Sequence, residues 1–176
     1  MAVHQVGPQS GTLKVKTYRE GVAQKIGHDL VIEVEHWDAT LDLGPDGAVQ
    51  SVQLNADPGS LQVREGHNGA KALTDKDRRD IHKSIEEKVL GGKPIAFAST
   101  AIEPRGGGVV VRGDLTMADT THEAAFDIEV SGDGHVAGTL PVTQSEWGIK
   151  PYRAFMGALK VRDTVEVVVE ARLPAA

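Results

Sequence analysis

A chain of 176 residues with 40% apolar content is long enough for one sizeable core and short for two. Its net charge of −6 argues against a nucleic-acid surface, which needs a basic stripe, and the lack of cysteine excludes disulfides, thiol catalysis and thiolate metal sites. No apolar run approaches the length that crosses a bilayer, and the first eight residues, Met1 to Pro8, carry no secretory pattern. The sequence is therefore expected to make no stable membrane insertion and to work in the cytoplasm.

Residues 1–10 read as a loose lead-in. Leu13, Val15 and Thr17 alternate with Thr12, Lys14 and Lys16, which predicts a first amphipathic strand. A polar stretch from Arg19 to Gly27 leads into His28-Asp29. Leu30, Ile32 and Val34 then alternate with Val31, Glu33 and Glu35 in a strand running to about Trp37, and Ala39, Leu41 and Leu43 form another. Gly44-Pro45-Asp46-Gly47 is a hairpin turn by composition. In its return strand, Val49 to Asn55, the alternation weakens because Val52 and Leu54 face away from Val49. Asp57-Pro58-Gly59 turns into a short strand around Leu61 to Val63, and Gly66 to Gly69 break the chain.

A helix is predicted over about 74–90. Thr74 can cap it by accepting the amide near Asp77, and Asp75 and Asp77 suit the positive end of the dipole. Ile81, Ile85 and Val89 form one apolar stripe, Gly91-Gly92 supplies a left-handed stop, and Pro94 prevents resumption. Burying that stripe contributes at most ~5–8 kcal/mol. So short a helix is marginal alone, so it must lie against the strands or across their end.

Beyond the helix the period is two. Ile95, Phe97 and Ser99 share a face, as do Val109 to Met117, Ala124 to Val130, Val136 to Thr143 and Val165 to Ala171 in their turn. Eight or more short strands joined by turns predict an antiparallel meander closed as a barrel or sandwich. No repeat or linker divides the chain, so residues 1–176 read as one domain.

Five segments carry a resemblance: Arg79-Asp80-Ile81-His82, Lys93 to Ser99, Gly113-Asp114-Leu115-Thr116, Glu146-Trp147-Gly148-Ile149 and Val161 to Val165. In their order and spacing, with His28-Asp29 near the start, they resemble the YceI-like family across nearly the whole chain. The resemblance implies an all-β fold, an eight-stranded antiparallel lipocalin-like barrel with one capping α-helix. It also implies a hydrophobic tunnel for a polyisoprenoid, a quinone or a similar amphiphile, with no other cofactor. Members are often periplasmic and often form a homodimer. Ser84 to Lys88 stand where the family commonly has aromatic residues, and Trp147 stands where it has Phe.

The alternating faces nominate Leu13, Val15, Ile32, Val34, Phe97, Leu115, Phe126, Ile128 and Val167 as barrel interior. An eight-stranded interior either fills with side chains or holds one small ligand. The small residues Ser99, Ala101, Gly113 and Ala124 leave room on the inner face. The expected ligand-binding set is Ile32, Val34, Phe97, Ser99, Leu115, Phe126, Ile128, Trp147 and Val167. Head-group candidates are His28, Asp29, Arg79, Asp80, His82 and Lys150, with Arg79 and Lys150 suited to an anionic head. The histidines have no ligand spacing for zinc, and neither a nucleophile elbow nor a phosphate loop is present. The reading is a non-enzymatic carrier or transport protein for an amphiphilic lipid. The alternatives are an enzyme using His82 or His28 as general base and a filled barrel serving oligomerisation.

Overall fold

A computed structural model describes residues 2–21, 27–154 and 159–173. Its strands are β1 (Ala2–Val6), β2 (Gly11–Thr17), β3 (Arg19–Glu20), β4 (Asp29–Val34), β5 (Trp37–Leu43), β6 (Val49–Ala56), β7 (Leu61–His67), β8 (Ile95–Arg105), β9 (Gly108–Met117), β10 (Thr120–Val130), β11 (His135–Thr143), β12 (Arg153–Ala154), β13 (Leu159–Val161) and β14 (Thr164–Arg172). Among the described residues one α-helix, α1 (Asp75–Ser84), lies between β7 and β8. The polar stretch read between Arg19 and Gly27 lies partly outside the described residues.

Eleven strands form one antiparallel sheet in the order β1-β5-β6-β8-β9-β10-β11-β14-β2-β4-β7. The order closes on itself because β4 runs into β5 and β6 runs into β7, as one bent two-stranded ribbon. A 3-10 turn at Pro58–Ser60 makes the bend. There the Glu35 N–H donates to the Ser60 carbonyl and the Asp57 N–H to the His36 carbonyl, which carries the ladder round the corner. One half of the ribbon pairs with β2 and the other with β8. Taken as two long staves, β4–β5 and β6–β7 join β2, β8, β9, β10, β11 and β14 in a ring of eight, the expected all-β barrel. β1 and β7 remain at the two ends of the strand order.

The remaining strands lie outside that ring. The N-terminal lead-in is instead the strand β1, which pairs with β5 and buries Val6. Val3 and Gln5 are exposed and Val6 is buried, too short a pattern to be read as a strand. Strands β12, β13 and β3 form a separate small sheet.

Bulges explain where the alternation in the sequence breaks. Asp42 pairs with Ser51 but Leu43 with Val49, so Gln50 is extra and Val49, Val52 and Leu54 are all buried. In β8, Ser99 pairs with Gly113 and Ala101 with Arg112, so the chain slips at Thr100 and Ala101 is exposed. In β7 the extra residue is Arg64, whose guanidinium reaches Glu33 at 2.8 Å and Glu35 at 2.5 Å.

The helix begins as its sequence predicts. Thr74 Oγ1 accepts the Asp77 N–H at 3.1 Å, and the Asp77 carboxylate accepts the Thr74 N–H at 3.0 Å, a complete capping box. Past Ser84 the chain widens into a π-helical turn, Ile85–Val89, where the Leu90 N–H donates to the Ile85 carbonyl. Gly91 and Gly92 then adopt φ of +61° and +68°, which ends the helix. Ile81, Ile85 and Val89 are only half-buried. They face a hollow, so the stripe does not realise the full burial energy of a packed core.

Candidate functional site: a cavity in one half of the barrel

The barrel interior is filled at one end and hollow at the other. At the filled end Val111, Ile128, Val136 and Val169 are buried, Val111 completely. Gly138 fits among them because a Cβ there would stand 2.8 Å from Val169 Cγ1. Phe97 and Phe126 meet edge to face with 5.0 Å between ring centroids and form the floor of the hollow half. At Gly113 a Cβ would stand 2.3 Å from the Ala98 carbonyl oxygen and 2.8 Å from Phe97 Cζ, so the glycine admits the neighbouring strand as well as the ring. Gly113 therefore makes room for its neighbours and not for a ligand.

Beyond the floor lies a cavity of about 550 Å³. Aliphatic side chains from β2, β4, β6, β9, β11 and β14 form its wall, and Ile81, Ile85, Val89 and Leu90 form its roof. The π-helical turn brings both Val89 and Leu90 over the cavity. Its polar lining consists of Thr17, Arg19, His28, Asp77, Asp80, Ser84, Gln144, Tyr152 and Lys160.

Of the expected ligand-binding residues, Ile32, Val34, Phe97, Leu115, Phe126 and Val167 line the cavity. Ser99, Ile128 and Trp147 do not. Ser99 sits where the β6–β8 ladder stops, and its Oγ accepts the Val52 N–H at 3.0 Å. Ile128 lies one inward step past Phe126, in the filled end. Trp147 is buried at the end of a 3-10 turn, donates Nε1–H to the Leu115 carbonyl at 2.8 Å, and meets the His122 ring edge-on. It locks the turn to the wall.

Among the head-group candidates, His28 and Asp80 line the cavity, whereas Asp29, Arg79, His82 and Lys150 lie off its surface. Asp29 turns toward the strands that frame the mouth. It accepts the Arg19 N–H at 2.8 Å and the Asn68 amide at 2.9 Å, and pairs with the Arg19 guanidinium at 3.0 Å. Burial works against its charge, but those three donors hold its pKa below the ordinary aspartate value. Arg79 and Lys150 are exposed to solvent. On the helix Asp80 pairs with Lys76 one turn back, at 2.7 Å.

His82 fastens α1 to the free edge of β7, since its Nδ1–H donates to the Leu61 carbonyl at 2.6 Å. His28 likewise donates Nε2–H to the Lys71 carbonyl. Sequence reasoning missed Thr17, Arg19, Asp77, Ser84, Gln144, Tyr152 and Lys160. Thr17 was within reach, because it continues the Leu13–Val15 alternation that faces the interior.

A closed antiparallel barrel, hollow at one end and roofed by a helix, is the architecture of single-cavity, lipocalin-like barrels. The YceI-like domain profile matches residues 13–173, and the chain belongs to that family. Among solved structures it is similar to BcnA of Burkholderia cenocepacia, with 21% identity over 93% of this chain and 96% of that one and a TM-score of 0.65. It is also similar to the YceI protein of Campylobacter jejuni, with 13% identity over 82% and 85% of the chains and a TM-score of 0.60. At these identities the likeness is one of fold. No curated protein matches the sequence significantly.

Proposed function

We propose that the protein sequesters or carries a hydrophobic isoprenoid-type amphiphile, with its tail in the cavity and its polar end at the mouth, and that it acts by binding and not by chemistry. The observation that carries this reading is the contrast between an apolar wall and a polar rim on one cavity of about 550 Å³. A cavity of that size suits a ligand of small-molecule dimensions. Membership in the YceI-like family, whose resemblance implies a polyisoprenoid tunnel, supports the same reading.

Tail burial alone cannot select the ligand. Each methylene moved from water contributes about 0.8 kcal/mol, but a lipid tail already gains that in a membrane. Selection must come from the shape of the cavity and from contacts at the polar end.

Native mass spectrometry of freshly purified protein, followed by solvent extraction, tests the reading. The expected result is a stoichiometric prenyl lipid, quinone or related single-chain amphiphile. A clean protein mass that stays unchanged after exposure to isoprenoids and fatty acids would overturn it in favour of an interaction module.

A further inference from the structure

The first observation concerns charge on the separate small sheet, β12-β13-β3. The chain carries a net charge of −6, yet its stretch from Lys150 to Arg162 holds Lys150, Arg153, Lys160 and Arg162 and no carboxylate. Arg153 lies directly opposite Lys160 across the β12–β13 ladder, which puts both on one face. Lys160 and Arg162 both reach Glu20, at 3.6 and 3.9 Å, so Arg162 shares that face. Like charges directly opposite one another destabilise a sheet. Glu20 offsets two of these cations, while Lys150 and Arg153 are exposed and have no ion-pair partner among the described residues.

The second observation concerns place. Arg19, Tyr152, Lys160 and Val161 line the cavity, so the small sheet stands at its mouth. Tyr152 is 49% exposed, and the Arg162 guanidinium lies over the Tyr18 ring, 5.5 Å from its centroid. These are the only tyrosines in the chain. Tyrosine beside lysine and arginine suits the boundary between water and lipid, where the apolar body is covered and the polar tip stays wet. Nearby carboxylates do not oppose an anionic surface. Asp29 pairs with Arg19 at 3.0 Å, and Asp163 accepts the Ser145 N–H at 2.8 Å. On the roof helix Lys76, Arg78, Arg79 and Lys83 outnumber Asp75, Asp77 and Asp80. Strands of two and three residues offer no groove for a peptide or a folded partner. A bilayer demands charge and no matching shape.

We infer that this face docks the protein on an anionic lipid bilayer, without inserting into it, and so sets the cavity mouth against the source of its ligand. The inference rests on the amphiphile reading above and adds to it the surface at which the ligand is exchanged. Each basic residue close to an anionic leaflet strengthens binding about fivefold, and the attraction falls off within a Debye length. Docking therefore requires anionic lipid, fades with salt, and depends on where the cations stand and not on the net charge of the chain.

The test is flotation of the full-length protein with vesicles of phosphatidylcholine alone and of phosphatidylcholine with about one-third phosphatidylglycerol, at low and at high salt. Calorimetric titration with dispersed geranylgeraniol reports separately on the cavity, whose 550 Å³ holds about 18 heavy atoms at roughly 30 Å³ each. The variants are Lys150→Glu with Arg153→Glu, neither of which lines the cavity, and Arg105→Glu with Arg172→Glu, which make the same change in charge at the filled end. Wild type is expected to bind the anionic vesicles at least tenfold tighter than the neutral ones at low salt, and to be released at high salt. The mouth variant is expected to lose at least tenfold on anionic vesicles while keeping its affinity for geranylgeraniol, and the filled-end variant to match wild type. Equal binding to both kinds of vesicle overturns the inference, and so does a mouth variant that binds no more weakly than the filled-end one. Wild type that takes geranylgeraniol and ignores both vesicles overturns the docking surface and leaves the amphiphile reading standing. Wild type that binds neither overturns both.

Discussion

Asp29 and Thr17 stand a short distance apart near the cavity mouth and show opposite treatments of a polar side chain. Asp29 is met by three donors that depress its pKa. A carboxyl whose folded pKa lies below its unfolded value of about 3.9 contributes stability above that pH. The contribution disappears as pH falls through the folded value. Asp29→Asn is therefore expected to lower the thermal midpoint at pH 7 by about 2 °C, from a loss of ~0.5–1 kcal/mol. The gap between mutant and wild type should close below about pH 4, and thermal scans across that range check it. Thr17 Oγ1 is enclosed without a hydrogen-bond partner among the described residues, so Thr17→Val is expected to stabilise the free protein by ~1 kcal/mol or less, read as a rise of up to about 4 °C. At this scale the sequence was half legible. Alternation placed Ile32, Phe97, Leu115 and Phe126 inside, because period two fixes the face of a strand residue. It could not place Asp29, Arg79 or Lys150, because the destination of a polar side chain depends on neighbours from distant strands.

The helix and the β9–β10 turn are the elements with the most direct consequences. Helix α1 was legible almost residue by residue, since Thr74, the acidic first turn and Gly91-Gly92 are local signals that act locally. Its π-helical end, Ile85–Val89, was not, because no local residue signal separates a widened turn from continued α-helix. Thr74→Ala removes the capping box and is expected to cost about 1 kcal/mol. Hydrogen exchange should speed up over residues 75–90 and stay unchanged in β9 and β10. Uniform acceleration would mean that the helix is not a separately opening roof. In the β9–β10 turn Ala118 and Asp119 both take positive φ, +50° and +60°, as a type I′ hairpin requires. Left-handed backbone is unfavourable for both, so Asp119→Gly is expected to raise stability by roughly 0.5–1 kcal/mol in denaturant titration. The bulges at Gln50 and Thr100 were visible only as failures of alternation. A bulge depends on the partner strand as much as on its own residues.

At the scale of the molecule, the barrel closes through one bent ribbon, β4–β5 against β6–β7, whose halves pair with β2 and β8. The sequence indicated a ring of eight but not the half of it that is hollow. The small residues read as leaving room, Ser99, Ala101, Gly113 and Ala124, do not line the cavity, and Gly113 accommodates its neighbours Ala98 and Phe97. The emptier end is instead walled by Leu, Val and Ile of ordinary size. Its depth is set by the Phe97–Phe126 pair, which should act as a stop for the ligand chain. The measurement that tests this account most directly is calorimetric affinity for a series of prenyl alcohols: geraniol, farnesol, geranylgeraniol and an alcohol of twice that length. Affinity is expected to rise with each isoprene unit up to geranylgeraniol and to level off or fall for the longest chain. A continuous rise through the longest alcohol would contradict the floor at Phe97 and Phe126, and no binding along the series would contradict the cavity as a ligand site.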